Sequence, residues 1–164
     1  MPTQPTGRTA QPGPTGPTGP TGIDELLERE RTHLERVTPQ QAEAAVRENG
    51  ALLVDIRYAA LRDRDGTVPG ALVVERNELE WRLDPQSDHR LAEATGHGIQ
   101  VIVLCNEGYA SSLAARSLQA LGLDRATDLI GGFQAWAAAG LPVLRPEPAD
   151  GPDLSGRTRS PGSP

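Results

Sequence analysis

Apolar residues fall along this chain in two rhythms. Ile23, Leu26, Leu27 and Leu34 recur at helical spacing among alternating charges, which predicts an amphipathic helix starting near Thr21 or Asp24. Thr38-Pro39 opens a second helix, with Thr38 as N-cap and Pro39 at the first helical position, and Asn49-Gly50 supplies its stop. Beyond it the apolar residues come in short unbroken runs: Ala51 to Val54 ending at Asp55, Ala71 to Val74, Ile99 to Leu104, and Asp128 to Ile130. An extended piece at Arg36-Val37 is expected to add an edge strand. Runs without alternation, interleaved with helical segments, predict strands buried on both faces in a parallel sheet. The expected class is α/β, with the folded unit spanning residues 23–144.

Composition sharpens this picture mainly at the ends. The chain has 164 residues, enough for one domain, yet 15 Pro and 18 Gly are too many for uniform folding. They concentrate in residues 1–22, which end in Gly-Pro-Thr triplets from Gly13, and in residues 145–164. Too few triplets are present for a collagen helix, and without apolar residues both tails are expected to be disordered. A net charge of −6 without a basic patch argues against a nucleic-acid partner. No apolar run at the start resembles a signal peptide, and none is long enough to span a bilayer, so a soluble, cytoplasmic protein is expected. The single cysteine excludes an internal disulfide and fits a reducing compartment; no metal-ligand spacing or cofactor motif is evident.

Candidate chemistry centres on VIVLCNEGYASSLAARSLQALG. A buried strand ends at Leu104, Cys105 follows at once, and a loop with Gly108 leads into a helix stopped by Gly122. Ala110, Leu113, Ala114, Leu118 and Leu121 are expected to form its apolar face, with Ser111 or Ser112 as N-terminal cap. A cysteine at the carboxyl end of a parallel strand lies where open α/β sheets bind ligands. The free N–H groups and positive dipole end of the next helix favour a thiolate there, and can hold an anionic substrate or persulfide. Gly108 suits a loop whose amides curl inward. The bland alternative, an inert buried cysteine, fits the middle of a strand better than its end.

The stretch Cys105, Asn106, Glu107, Gly108, Tyr109, Ala110 resembles the active-site loop of the rhodanese family, in which a cysteine opens a short loop with glycine at the fourth position. LLVDIR (Leu52 to Arg57) resembles that family's strand motif ending in Asp-x-Arg. GTVPGA (Gly66 to Ala71) is similar to its Gly-His-Ile-Pro-Gly-Ala, departing at Thr67 and Val68, and LIGGFQAW (Leu129 to Trp136) to its closing Gly-Gly-x-x-x-Trp. Together these cover nearly all of residues 36–144. The resemblance implies a five-stranded parallel sheet between helices. It also implies a sulfurtransferase: Cys105 accepts a sulfane sulfur as a persulfide and yields it to a thiol or cyanide. No cofactor is implied.

The expected substrate-binding set is Asn106, Glu107, Gly108, Tyr109, Ala110 and Ser111, with Arg76 and Arg57. Arg76 is expected across the mouth of the site as a compensating charge, or on the surface. Arg57 is expected chiefly to fix the loop through an ion pair, a role shared with Asp55. Tyr109 is expected to wall the pocket. Many rhodaneses that use thiosulfate carry a cation in the loop; this one carries Glu107, which repels a dianion. A low-molecular-weight or protein persulfide is then at least as good a donor as thiosulfate. Phe133 and Trp136 are expected to pack the last helix, and Trp81 to be half-buried. His33, His89 and His97 are expected to be solvated. Two other classes compete. A cysteine phosphatase needs Cys-x5-Arg, but the sixth residue after Cys105 is Ser111. A thiol sensor or persulfide-binding module, tethered to a partner protein by the tails, would need an external resolving thiol.

Overall fold

The computed structural model describes residues 21–146. The predicted tails at 1–22 and 145–164 lie outside the described residues except for Thr21, Gly22, Arg145 and Pro146. Elements run α1 (Ile23–Arg31), α2 (Pro39–Asn49), β1 (Leu52–Asp55), α3 (Ala59–Asp65), β2 (Leu72–Val73), a 3-10 turn (Arg76–Glu78) leading into α4 (Leu79–Leu83), β3 (Val101–Leu104), α5 (Ala110–Ala120), β4 (Ala126–Asp128) and α6 (Gly132–Ala138). No helix among the described residues is long and apolar enough to cross a membrane.

The sheet is parallel throughout, in the order β2-β1-β3-β4. It has four strands rather than the five expected from the resemblance. The extended piece at Arg36-Val37 survives only as one parallel bridge, Val37 to Leu129, on the β4 edge. The physical reason is local: Thr38 already caps α2, so the chain turns helical after a single extended residue pair. Its side chain accepts from Gln41 N–H at 3.2 Å, and the Gln41 side chain accepts from Thr38 N–H at 2.9 Å. The last strand also lies earlier than the run Asp128 to Ile130 suggested. Ala126, Thr127 and Asp128 are its paired residues, so the strand ends where the expected run began, and Ile130 is exposed.

Both faces of the sheet are covered, as the unbroken apolar runs require. Val54, Val101 and Val103 pack one way with Leu79, Ala114 and Leu118 from α4 and α5. Leu53, Ile102 and Leu104 pack the other way with Ala42 and Ala45 of α2 and with Phe133 and Trp136 of α6. In α5 the buried side is Ser111, Ser112, Ala114, Ala115 and Leu118; Ala110, expected to be apolar lining of the core, is exposed. Trp81 is likewise 59% exposed rather than half-buried. The three histidines are exposed.

Chain direction reverses sides at β1: β2 lies on one flank and β3 on the other, so a crevice opens at the carboxyl ends of β1 and β3. One wall is fixed by a buried ion pair. Asp55 and Arg57 are both fully buried, with Arg57 Nη2 2.7 Å from Asp55 Oδ2 and Arg57 Nε bonded to both carboxylate oxygens. Arg57 Nη2 also donates to the Gly66 carbonyl at 2.9 Å, and its guanidinium lies 3.7 Å from the centroid of the Phe133 ring. Arg57 Nη1 has no hydrogen-bond acceptor among the described residues, and the electron-rich ring face beside it offsets part of that loss.

Removing one partner of such a pair strands the other charge in the interior. Arg57→Ala is expected to lower folding stability by about 3–5 kcal/mol, read as a fall in the urea midpoint. Arg57→Lys should recover only part of it, because an ammonium cannot reproduce the two-pronged contact.

Candidate functional site

Cys105 follows directly on β3 and lies in the crevice, 7% exposed. Five residues later the chain is helical, so residues 105–110 form a tight arch around the sulfur. Gly108 donates its N–H to Cys105 Sγ at 3.2 Å, and the thiol donates to Ser111 Oγ at 3.2 Å. The N–H groups of Asn106, Glu107, Tyr109 and Ala110 have no acceptor among the described residues. The loop's carbonyls, by contrast, are engaged on its outer side. Phe133 N–H donates to Cys105 O at 2.8 Å and Gln134 N–H to Asn106 O at 3.1 Å, both from the first turn of α6. Arg31 and Arg36 donate to Gly108 O at 2.7 and 3.1 Å.

That inside-out arrangement needs glycine at two places. Gly108 has φ +84°, and a side chain there would sit 2.7 Å from Gly131 N. Gly132 has φ +59°, and a Cβ there would sit 2.8 Å from Asn106 O. The two glycine-bearing segments, far apart in sequence, therefore touch backbone to backbone. This is the physical reason for a Gly-Gly pair before Phe133, which the sequence reading tied only to family resemblance.

Beneath the loop is a buried carboxylate that sequence reasoning missed. Asp128 ends β4 and is fully buried. Arg36 reaches it through Nε at 2.8 Å and Nη2 at 3.1 Å, and the hydroxyls of Ser111 and Ser112 both donate to its Oδ2 at 2.9 Å. The serines expected as helix caps are thus turned inward; the N-cap of α5 is Tyr109, which makes no side-chain cap bond. Arg31 adds a bond to Ser112 Oγ at 3.0 Å and lies 5.7 Å from the centre of the Tyr109 ring, holding that ring in place. No sequence signal marked Asp128: the expected strand, Asp128 to Ile130, began with it, and only the structure puts it at the carboxyl end of β4.

The crevice above the sulfur is a cavity of about 310 Å³. Ile56, Tyr58, Leu61, Tyr109 and Ala110 line it together with Cys105, and Tyr58 and Tyr109 are 67% and 57% exposed, which places them at its mouth. Tyr58 and Leu61 were not anticipated, although Tyr58 follows the Asp-x-Arg segment at a strand's carboxyl end. Asn106, Glu107, Arg57 and Arg76 also line the cavity, so the expected residues converge except for Gly108 and Ser111, which face the sulfur from the buried side. Arg76 does not offer a free charge: its Nη1 contacts both oxygens of Glu80 at 2.9 and 3.1 Å. Burial works to raise the Glu80 pKa. The Ser117 hydroxyl, its own backbone and Arg76 outweigh that, so the carboxyl sits below its ordinary value and is ionised at neutral pH. Glu107 is exposed and has no ion-pair partner among the described residues.

The arrangement can hold a sulfur-borne anion on backbone amides while excluding bulk water from the base of the cavity. The family model of the rhodanese-like domain matches residues 38–139. A thiosulfate sulfurtransferase GlpE from Actinobacillus pleuropneumoniae is 30% identical over 111 residues, covering 65% of this chain and 90% of its own length. A sulfurtransferase from Allochromatium vinosum is 33% identical over 96 residues, 58% of this chain and 80% of that one. Among solved structures, a Rhodopseudomonas palustris protein described as a possible tyrosine phosphatase superposes with a TM-score of 0.68 at 31% identity, over 81% of this chain and all of its own.

The glycine contact gives a test with an internal control. Gly140 also has positive φ, +72°, but open space around it. Gly140→Ala should cost about 1 kcal/mol from backbone strain alone. Gly132→Ala should lower the melting temperature clearly further and speed alkylation of Cys105 by iodoacetamide, because the loop loses its seat.

Proposed function

The chain belongs to the rhodanese-like domain family, and from that premise we propose that it is a sulfurtransferase carrying sulfur on Cys105. The observation that supports this reading is the sulfur's position at the head of a loop whose Gly108 N–H donates to it at 3.2 Å, while four neighbouring loop N–H groups have no acceptor among the described residues. In the first half-reaction the Cys105 thiolate attacks the sulfane sulfur of a donor. The donor's S–S bond breaks, its electron pair leaves with the remainder of the donor, and Cys105 becomes a persulfide. The outer sulfur then bears the negative charge, and the unpaired N–H groups of Asn106, Glu107, Tyr109 and Ala110 are the donors available to it. In the second, a thiolate or cyanide attacks that outer sulfur, and the Cys105 thiolate is released. No metal or redox cofactor enters either step, since the two-electron chemistry is contained in the sulfur–sulfur bonds.

The donor is thiosulfate, as the names of the relatives say of those proteins, or a persulfide of a small thiol. A cytoplasmic location, where such thiols are reduced, belongs to the same proposal. Phosphatase chemistry is not supported. Where a phosphate-binding arginine would stand this chain has Ser111, fully buried and bonded to Asp128, and no guanidinium can reach a phosphoryl group from there.

Incubating the purified chain with thiosulfate, and separately with glutathione persulfide, should give a species one sulfur atom heavier by intact mass. Cyanide should reverse it, and Cys105→Ser should abolish it. If no donor adds sulfur to Cys105, the reading is wrong and a thiol-sensing role takes its place.

A further inference from the structure

Charge and shape in the cavity above Cys105 say which donors it suits. Each arginine lining it is already matched: Arg57 by buried Asp55, and Arg76 by Glu80. Behind the loop, Arg36 is committed to Asp128, and Arg31 to the Gly108 carbonyl, Ser112 and the Tyr109 ring. Glu107 remains at the rim as an unbalanced negative charge. A dianion entering here meets net repulsion and finds only backbone amides to hold it. The walls offer something else. Tyr58 and Tyr109 stand at the mouth, Leu61, Ile56 and Ala110 line the cavity with them, and about 310 Å³ is at the small end of cavities that hold organic ligands.

Resting on the sulfur-carrier reading above, we propose that the site is built for singly charged organic sulfane donors bearing an apolar or aromatic body, with Tyr58 and Tyr109 gripping that body and Glu80 setting the selectivity by neutralising Arg76. Glu80 is a positioning residue: it touches no substrate, and acts by holding the one guanidinium at the cavity wall that is not buried in the sheet. Arg76 has 43% of its side chain exposed, so it is free to turn toward an anion once that hold is released. The reaction balances for either donor class. With an arylthiosulfonate, the Cys105 thiolate takes the outer sulfur and the arylsulfinate leaves with the bonding pair; with thiosulfate, sulfite leaves in the same way. One negative charge remains on the persulfide in both.

Benzenethiosulfonate and thiosulfate form a matched pair of probes, the first a monoanion with a ring, the second a bare dianion. With cyanide as common acceptor both yield thiocyanate, so one assay on the full chain compares them. The wild type should favour benzenethiosulfonate by at least about tenfold in kcat/KM, the scale expected from burying one ring and avoiding one charge. Glu80→Gln keeps an acceptor for Ser117 and frees Arg76. It should shift the ratio toward thiosulfate by about tenfold, mainly through KM, and the shift should fade with added salt. Tyr58→Ala and Tyr109→Ala should each lower the same ratio through loss of the organic donor. Equal use of the two donors, or a thiosulfate preference, overturns the proposal even if Glu80→Gln cannot be purified. A Glu80→Gln ratio equal to the wild type overturns the role given to Glu80. If neither donor yields a persulfide on Cys105, it is the sulfur-carrier reading that fails, a result separate from both.

Discussion

Much of the site's geometry depends on a carboxylate that touches no solvent. Asp128 is fully buried at the end of β4, where an unpaired charge would cost several kcal/mol. It is satisfied by four hydrogen bonds from two separate parts of the chain, two from Arg36 and one each from Ser111 and Ser112. Both serine hydroxyls meet a single oxygen, which ties the first turn of α5 to the carboxylate. The same Arg36 continues to Gly108 O and thereby holds the loop's one glycine carbonyl away from the sulfur. Such a junction adds little net stability over an apolar core of the same shape. What it confers is a single position for the loop.

From this follows a division of labour among charges. Strand ends in a parallel sheet gather acids and arginines, and here each buried acid has its arginine: Asp128 with Arg36, Asp55 with Arg57. With those guanidiniums committed, a sulfur anion of the proposed reaction would be left to peptide N–H groups. Amides are weaker per group than a cation, but they are fixed by the backbone and need no reorganisation when charge appears. Their fixity rests in turn on α6, whose first turn donates to the carbonyls of Cys105 and Asn106, and on the close approach that Gly108 and Gly132 permit.

How far this could be read from sequence depended on the range of each interaction. The N-cap at Thr38, the stop at Gly50, the two-faced burial of β1 and β3 and the arch after Cys105 are local or periodic, and each was legible. The Cys105 motif also carried the family by resemblance. What was not legible is the pairing of residues distant along the chain. Nothing near Arg36 announces an acid 92 positions away, and nothing near Ser111 says that its hydroxyl turns inward instead of capping. The expected fifth strand reduced to one bridge for a similar reason, since the helix cap at Thr38 competes with sheet pairing and wins. Trp81 shows the converse failure: a large ring at helical spacing was taken for packing, yet α4 is short and presents it to solvent.

Selectivity within this fold follows the same logic. In the proposed sulfur carrier the loop backbone would offer its N–H groups to any anionic sulfur, and so would discriminate poorly between one donor and another. Discrimination must therefore come from side chains, Glu107 and Tyr109 on the loop and those on the segments after β1 and β2 that face it across the crevice. The latter positions lie at the carboxyl ends of neighbouring strands and bear no part of the sheet's hydrogen bonding, so they can change without disturbing the arch. In this chain they carry Tyr58, Leu61 and an arginine held by Glu80. A rhodanese-like scaffold with a free cation there and no rim carboxylate would present the same sulfur to a very different set of donors. The walls of the crevice, more than the loop that names the family, are where chemistry in this fold is specialised.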